Sequence, residues 1–375
     1  MKFTVTATDT GTNARAGLLE LPRGSVSTPV FMPVGTQATV KGLFPRDVRA
    51  VGSEIILANT YHLMLRPGSE LVRDFGGVST FMAWNGPVLT DSGGYQIFSL
   101  AENRRIDEQG ATFRSHIDGS TVFLSPERAV EIQEHLGSDI MMVLDECPPV
   151  TADHDTIAKS LEMTIRWAKR CFAAKKSPED RQSLFPIVQG GCHLDLRTVS
   201  AQACCELNSP GVAIGGVSVG ESPDSMRAVV EHTAPLLPRD KPRYLMGVGH
   251  PRDLLMGVGA GIDMFDCVLP TRNGRNGQAL TADGPMNIKN AMHRNSHRPI
   301  EESCDCPACR EFTRGYLRHL ISAREMLASV LISLHNVRFL HRLMEGARTA
   351  IREGRYAAFA RDATARYASN AHRDG

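Results

Sequence analysis

Asp266 closes the apolar run Asp263-Met264-Phe265 and is followed by Cys267-Val268-Leu269-Pro270 and then Thr271-Arg272-Asn273-Gly274-Arg275. A carboxylate held rigidly against apolar walls is a candidate nucleophile. The segment Thr271 to Arg275 reads as a basic, glycine-containing loop. In it the guanidinium forks of Arg272 and Arg275, with the exposed N–H groups of Asn273 and Gly274, would follow a phosphate backbone. The chemistry predicted from this stretch is attack by a carboxylate on an electrophile that is attached to phosphates.

A second constellation is Cys304-Asp305-Cys306-Pro307-Ala308-Cys309, three thiols on one tight turn. Three soft sulfurs and one imidazole form a closed tetrahedral set for Zn²⁺, with no position left for water, so the expected site is structural rather than catalytic. His335 lies on the helical segment that follows, and the residues alone leave His319 and His341 as alternatives for the fourth ligand. The remaining six of the nine cysteines show no framework, and reduced thiols are expected.

These groups need elements to position them. Eight short apolar runs recur, at residues 29–34, 54–58, 87–90, 139–144, 184–188, 211–214, 243–246 and 263–265, and helical patterns separate them. Runs apolar on both faces suit buried parallel strands, and eight of them with helical crossovers predict a (β/α)8 TIM barrel. One crossover is punctuated completely: Ser125 caps, Pro126 takes the first helical position, Ala129, Val130, Ile132 and Leu136 line a face, and Gly137 ends the helix. Polar clusters follow the runs at Asp91-Ser92-Gly93-Gly94-Tyr95, Asp145-Glu146, Gln189-Gly190-Gly191, Gly215-Gly216, Gly247-Val248-Gly249 and Asp266, where a barrel would gather them at its carboxy-terminal mouth. After residue 270 the pattern becomes irregular to about residue 310, and a long amphipathic helix carrying Leu317 to Leu334 follows. The predicted organisation is a catalytic barrel with N-terminal strands over 1–270, an anion-contacting loop and zinc-binding insertion near the C-terminus over 271–315, closing helices over 316–368 and a frayed tail over 369–375.

The chain of 375 residues carries a formal charge of only +1, yet residues 271–375 hold 17 Lys+Arg against 10 Asp+Glu. The basic character therefore follows Asp266. The amino terminus lacks the apolar core of a secretory signal and no apolar stretch is long enough to span a bilayer, so a cytoplasmic location with no membrane association is expected.

Taken together in this order and spacing, Asp91 to Gln96, Val188 to Gly191, Gly215 to Val217, Tyr244 to Gly249, Asp266 to Arg272 and the Cys-x-Cys-x-x-Cys set with His335 resemble the bacterial tRNA-guanine transglycosylase (queuine tRNA-ribosyltransferase) family over residues 3–368. The resemblance implies exchange of guanine at wobble position 34 of tRNAs with a GUN anticodon for the deazaguanine preQ1, a step of queuosine biosynthesis. It makes Asp266 the nucleophile of a covalent enzyme-RNA intermediate, Asp91 the general acid/base, and Cys304, Cys306, Cys309 and His335 the ligands of one structural zinc per subunit. Guanine offers N1–H and N2–H donors and an O6 acceptor. Asp145 is therefore expected to take the donors, Gln189 and the Gly216 N–H to take O6, and Tyr95 and Met246 to sandwich the ring, with Ser92, Gly93, Gly94 and Gly215 completing the pocket. Val217 and Glu221 match the place where the aminomethyl group of preQ1 is read. Gly247, Val248, Gly249, His250, Pro251, Arg252 and Asp253 join Thr271, Arg272, Asn273, Gly274 and Arg275 as the expected RNA contacts, and the family works as a homodimer on a single tRNA.

Related readings differ in their residues. The archaeal type carries a further carboxy-terminal RNA-binding region, and the type that accepts queuine has a roomier pocket, whereas Cys147 and Val219 here keep the bulk that favours preQ1. Val217 and Ser218 stand where bacterial members usually have Leu-Ala, which bears on base affinity. A non-catalytic RNA-binding paralogue would not need both Asp91 and Asp266, and an aldolase-like barrel would need a Schiff-base lysine or a catalytic metal at the mouth.

Overall fold

The computed structural model describes residues 1–100 and 104–368; the tail expected over 369–375 lies outside them. The eight apolar runs become eight parallel strands: β1 (Val30–Pro33), β2 (Ile56–Ala58), β3 (Val88–Thr90), β4 (Ile140–Met142), β5 (Ser183–Phe185 and Ile187–Val188), β6 (Val212–Ile214), β7 (Arg243–Leu245) and β8 (Met264–Cys267). Nearly every residue in them is buried, as expected of strands covered on both sides. The ladder runs β5-β4-β3-β2 on one side and β5-β6-β7-β8-β1 on the other, and a parallel bridge between Val34 and Leu57 closes the ring between β1 and β2. β5 is divided at Pro186, which has no N–H to donate; its carbonyl still accepts from Ala213 at 2.9 Å. The chain therefore folds as a (β/α)8 barrel.

The crossover helix Pro126–Leu136 forms within its sequence boundaries: Ser125 Oγ accepts from Arg128 N at 3.2 Å, and Gly137 closes it at φ 66°. An antiparallel sheet of Lys2–Thr8, Arg15–Leu21 and Gly24–Thr28 is tied to the amino-terminal end of the barrel. The tie is buried: Arg15 donates to Asp263, just before β8, at 3.0 and 2.6 Å, and Asp263 also accepts from Arg243 N at 2.7 Å.

Two features depart from the sequence reading. A three-stranded meander of Arg105–Asp107, Gly110–Arg114 and Thr121–Leu124, absent from the apolar-run count, is inserted after the helix Gly94–Leu100. Its strands are short and half exposed, so they lack the two-faced apolar signal. The single amphipathic helix expected to run through Leu317 and Leu334 is two helices, Arg314–Ser322 and Met326–Arg352. Arg324 adopts φ 60° between them, and the N–H groups of Arg324 and Glu325 cap the carbonyls of Ile321 and Leu320. The longer helix packs on β1 and against the helices Pro45–Ala50 and Pro251–Gly259, which is the eighth crossover position of the ring.

Candidate active site and metal centre

A cavity of about 480 Å³ opens at the carboxy-terminal ends of the strands. Asp91, Ser92, Gly93 and Tyr95 line it after β3, Asp145 after β4, and Gln189 after β5. Gly215, Gly216 and Val217 follow β6, Met246 and Gly247 follow β7, and Asp266 stands on β8. The barrel thus gathers into one cavity groups that lie as far apart in sequence as Asp91 and Asp266.

Asp266 is 9% exposed and takes two hydrogen bonds on the same oxygen: Tyr244 Oη donates to Oδ1 at 2.6 Å and Gly247 N at 2.8 Å. Burial raises its pKa above the ordinary carboxylate value, and these two donors oppose that rise. Asp91 is held from both sides, with Asn59 Nδ2 donating to Oδ2 at 2.5 Å and Thr60 N to Oδ1 at 2.8 Å. Its pKa is pushed up to about 6, chiefly by burial; the donors lower it, and the Asp266 charge adds to the rise. Asp145 is likewise pushed up to about 6 by burial, against the hydrogen bonds from Gln189 Nε2 to Oδ2 at 2.7 Å and Ser92 Oγ to Oδ1 at 3.2 Å.

Close packing explains the glycines. A Cβ on Gly94 would stand 2.5 Å from the Asp145 carbonyl, and one on Gly216, at φ 63°, would stand 2.2 Å from Gln189 Oε1. Gly94 accordingly supports Asp145 from behind rather than lining this cavity. Glu221 does not line it either: its carboxylate accepts from the N–H groups of Ser218 and, at 3.0 Å, Val219, so it fastens the loop that carries Val217.

The segment expected to be a phosphate-following loop is a helix, Leu269–Arg275. Pro270 sits in its first turn, and the helix bonds internally, as from Arg272 N to Val268 O at 2.9 Å. Gly274 is buried against the long C-terminal helix, where a Cβ would stand 2.5 to 2.7 Å from Ser333, so its role is close helix approach and its N–H is not offered to a ligand. Thr271 is also buried, whereas Arg272 and Arg275 are exposed, Asn273 is half-buried, and Arg272 reaches the cavity lining. In the preceding segment Val248, Gly249 and Pro251 are buried; Gly247 is exposed, and His250, Arg252 and Asp253 are partly so.

The sequence reading missed Asn59, Thr60, Tyr244 and Arg197. Asn59 and Thr60 directly follow β2, so the rule that located the other strand-end clusters reaches them as well. Tyr244 lies two residues before Met246, and the two-residue period of a strand puts both on one face. Arg197, fully buried on the helix Leu194–Glu206, had no sequence signal. It donates to the carbonyls of Gly191, Val188, Gly215 and Gly216 at 2.8, 2.9, 2.7 and 3.1 Å.

Cys304, Cys306, Cys309 and His335 are all buried, and their ligand atoms lie within 4.8 Å of one another, a group that could hold a metal ion. His335 Nδ1 is 3.2 Å from Cys309 Sγ and 3.7 Å from Cys306 Sγ, while Nε2 pairs with the Leu280 carbonyl at 2.8 Å. That pairing uses the Nε2 proton and leaves the Nδ1 lone pair for a metal. The alternatives are excluded by position: His319 is exposed, and His341 Nε2 pairs with Ser53 Oγ at 2.7 Å. The thiol turn is braced by Arg338, which donates to Asp305 at 2.7 and 3.0 Å. Next to His335, Asn336 Nδ2 donates to Pro270 O and Gln278 O at 2.9 Å each, joining the metal region to the helix that follows Asp266.

The family model described as queuine tRNA-ribosyltransferase matches residues 9–369. The chain belongs to the queuine tRNA-ribosyltransferase family. It is 54% identical to the queuine tRNA-ribosyltransferase of Pelotomaculum thermopropionicum over 98% of this chain and 99% of that one. With the enzyme of the same name from Thermus thermophilus it shares 54% over 93% and 90%, and with that of Listeria innocua 52% over 99% and 97%. Among the described residues no helix is long and apolar enough to cross a membrane.

Proposed function

We infer that this member of the family is a tRNA-guanine transglycosylase of queuosine biosynthesis, exchanging guanine 34 of GUN-anticodon tRNAs for preQ1. The observation that carries the reaction is that Asp91 and Asp266, both buried, line one cavity, with the donors to Asp266 among the described residues confined to Oδ1. In this reading Oδ2 of Asp266 bonds C1′ as the bond from C1′ to guanine N9 breaks, the electron pair leaves with the base, and Asp91 supplies the proton. In the second half Asp91 takes the proton from preQ1, whose nitrogen displaces Asp266 from C1′ and restores the original configuration. A carboxyl with its pKa near 6 is suited to give and take a proton at neutral pH.

Asp145 would accept N1–H and N2–H of the base, and Gln189 with the Gly216 N–H would bind O6. In the free pocket both Asp145 oxygens already hold partners, so Gln189 must share its amide when the base arrives. Cys147 and Val219 line the cavity and occupy room that a bulkier base would need, which favours preQ1 over queuine. Tyr95, 47% exposed, and Met246 would stack on the ring. Glu221 would act through the Val217 loop.

The wobble base has to leave the anticodon stack to enter the cavity. Arg272 and Arg275 would bind the flanking phosphates through their side chains, and Gly247, His250, Arg252 and Asp253 would border the same RNA. The Cys304, Cys306, Cys309 and His335 group would hold Zn²⁺. A tetrahedron with zinc–sulfur bonds of about 2.3 Å spaces its ligand atoms by roughly 3.5–3.8 Å, near the separations found. A homodimer on one tRNA and a cytoplasmic location belong to the same proposal.

Incorporation of labelled guanine into a GUN-anticodon tRNA, with trapping of a denaturant-stable RNA adduct, tests the reaction. The expected adduct forms with the native chain and not with Asp266→Asn. Exchange at full rate by Asp266→Asn would reject the assignment. Binding of tRNA without any exchange would favour the non-catalytic RNA-binding reading.

A further inference from the structure

Arg197 is a fully buried cation that forms no ion pair among the described residues. Burying an unpaired charge is unfavourable, and the guanidinium is compensated only by the four backbone carbonyls it binds. Those carbonyls belong to the ends of β5 (Val188, Gly191) and β6 (Gly215, Gly216), the two turns from which the proposed O6 donors come. One turn along the same helix, Ser200 Oγ accepts from Gln189 N at 2.9 Å. A single helical face thus holds both turns.

The orientation follows from peptide geometry. Arg197 Nη1 binds the Gly215 carbonyl at 2.7 Å from outside the cavity, which Gly215 and Gly216 line and Arg197 does not. A planar trans peptide directs the next N–H opposite to its C=O, so the Gly216 N–H is turned into the cavity. Gly216 has no side chain and a positive φ of 63°, so its own residue type does not impose that orientation.

We infer that Arg197 is a positioning residue that sets the pocket's demand for an oxygen at the purine 6-position, by aiming the Gly216 N–H at it. The inference rests on the guanine-exchange reading. 2,6-Diaminopurine carries an amino group at that position and also lacks N1–H, so it sets donor against donor at Gly216 and loses one contact to Asp145. Only the first part of the penalty depends on Arg197, and unpaired buried donors discriminate strongly. Lysine keeps the charge of Arg197 but not the planar fork that holds four carbonyls at once.

The test measures labelled-guanine exchange into tRNA by the native chain and by Arg197→Lys, with competition by free guanine and by 2,6-diaminopurine. In Arg197→Lys the KM for guanine is expected to rise about 10- to 100-fold while kcat falls less, and the preference for guanine over 2,6-diaminopurine to narrow. Parallel weakening of both bases, with the preference intact, would show a merely structural role and overturn the inference, as would an unchanged KM. Should Arg197→Lys not fold, the amide resonance of Gly216 in the native chain decides. It shifts with guanine and not with 2,6-diaminopurine if the N–H is aimed at O6, and no shift with guanine overturns the inference. A native chain that takes up no guanine removes the exchange reading itself and this inference with it.

Discussion

Tyr244 donates its hydroxyl to Asp266 Oδ1 at 2.6 Å across the β7–β8 pair, and the Gly247 N–H reaches the same oxygen at 2.8 Å. One carboxylate oxygen is therefore pinned, and the other is left for chemistry. Burial holds the Tyr244 pKa well above its ordinary value, so the hydroxyl stays a donor at any working pH. Tyr244→Phe should leave tRNA affinity near native and slow adduct formation about 10- to 100-fold, because it removes one preorganised donor from a buried anion. Single-turnover adduct formation against filter binding separates the two effects, and equal losses in both would contradict this role.

The raised carboxylates make opposite predictions for stability and binding. Asp91 and Asp145 hold protons up to about pH 6 in the folded chain, above their ordinary values, so between about pH 4 and 6 the folded state binds more protons than the unfolded one. Their ionisation therefore lowers stability as pH rises through that window, by at most about 3 kcal/mol each. Asp145→Asn should melt higher than the native chain at pH 8 and lose that advantage at pH 4. Thermal melts at the two pH values check the sign.

Guanine binding should run the other way, since Asp145 can accept hydrogen bonds from both N1–H and N2–H of the base only when ionised. The KM for guanine should rise about tenfold per pH unit below about 6 in the native chain, and Asp145→Ala should bind the base poorly at every pH. If Asp145→Ala instead lost tRNA affinity while saturating normally with preQ1, Asp145 would belong to the RNA surface.

Removing one of the proposed metal ligands should be read as stability more than catalysis. Cys306→Ala should lower the zinc content and the melting temperature, because metal binding to such a site is coupled to folding. Asn336, beside His335, links the region to Pro270, so some loss of activity should accompany the melt, and it should be smaller per folded molecule. Stoichiometric zinc and an unshifted melting curve in Cys306→Ala would exclude the site.

The exposed arginines and the buried glycine of the helix Leu269–Arg275 should separate. Arg272→Ala or Arg275→Ala should each flatten the logarithmic salt dependence of tRNA binding by roughly one unit. Gly274→Val would drive a side chain into Ser333 and should lower stability with the salt slope unchanged. Filter binding across a salt series, with melts on the same samples, distinguishes these outcomes.

By itself the sequence determined the barrel, the carboxylates Asp91, Asp145 and Asp266, and the three thiols of the metal group. Apolar runs buried on both faces and polar residues placed directly after them are local patterns, and a closed parallel ring leaves such residues only one place to meet. The residues alone left three histidines open and the resemblance pointed to His335; only the tertiary structure gives the physical reason, since it brings that helix face to the thiol turn and sets the Leu280 carbonyl on the other ring nitrogen. It also turned the expected basic loop into a helix. Gly274 reads as a loop residue until Ser333, 59 positions away, takes the space of its side chain. Arg197 was the least legible residue, because an arginine in a helix reads as a solvated charge until the fold surrounds it with four carbonyls from the ends of two strands and the turns that follow them. Periodicity and local chemistry are written along the chain, whereas close approach and burial depend on segments that sequence distance keeps apart.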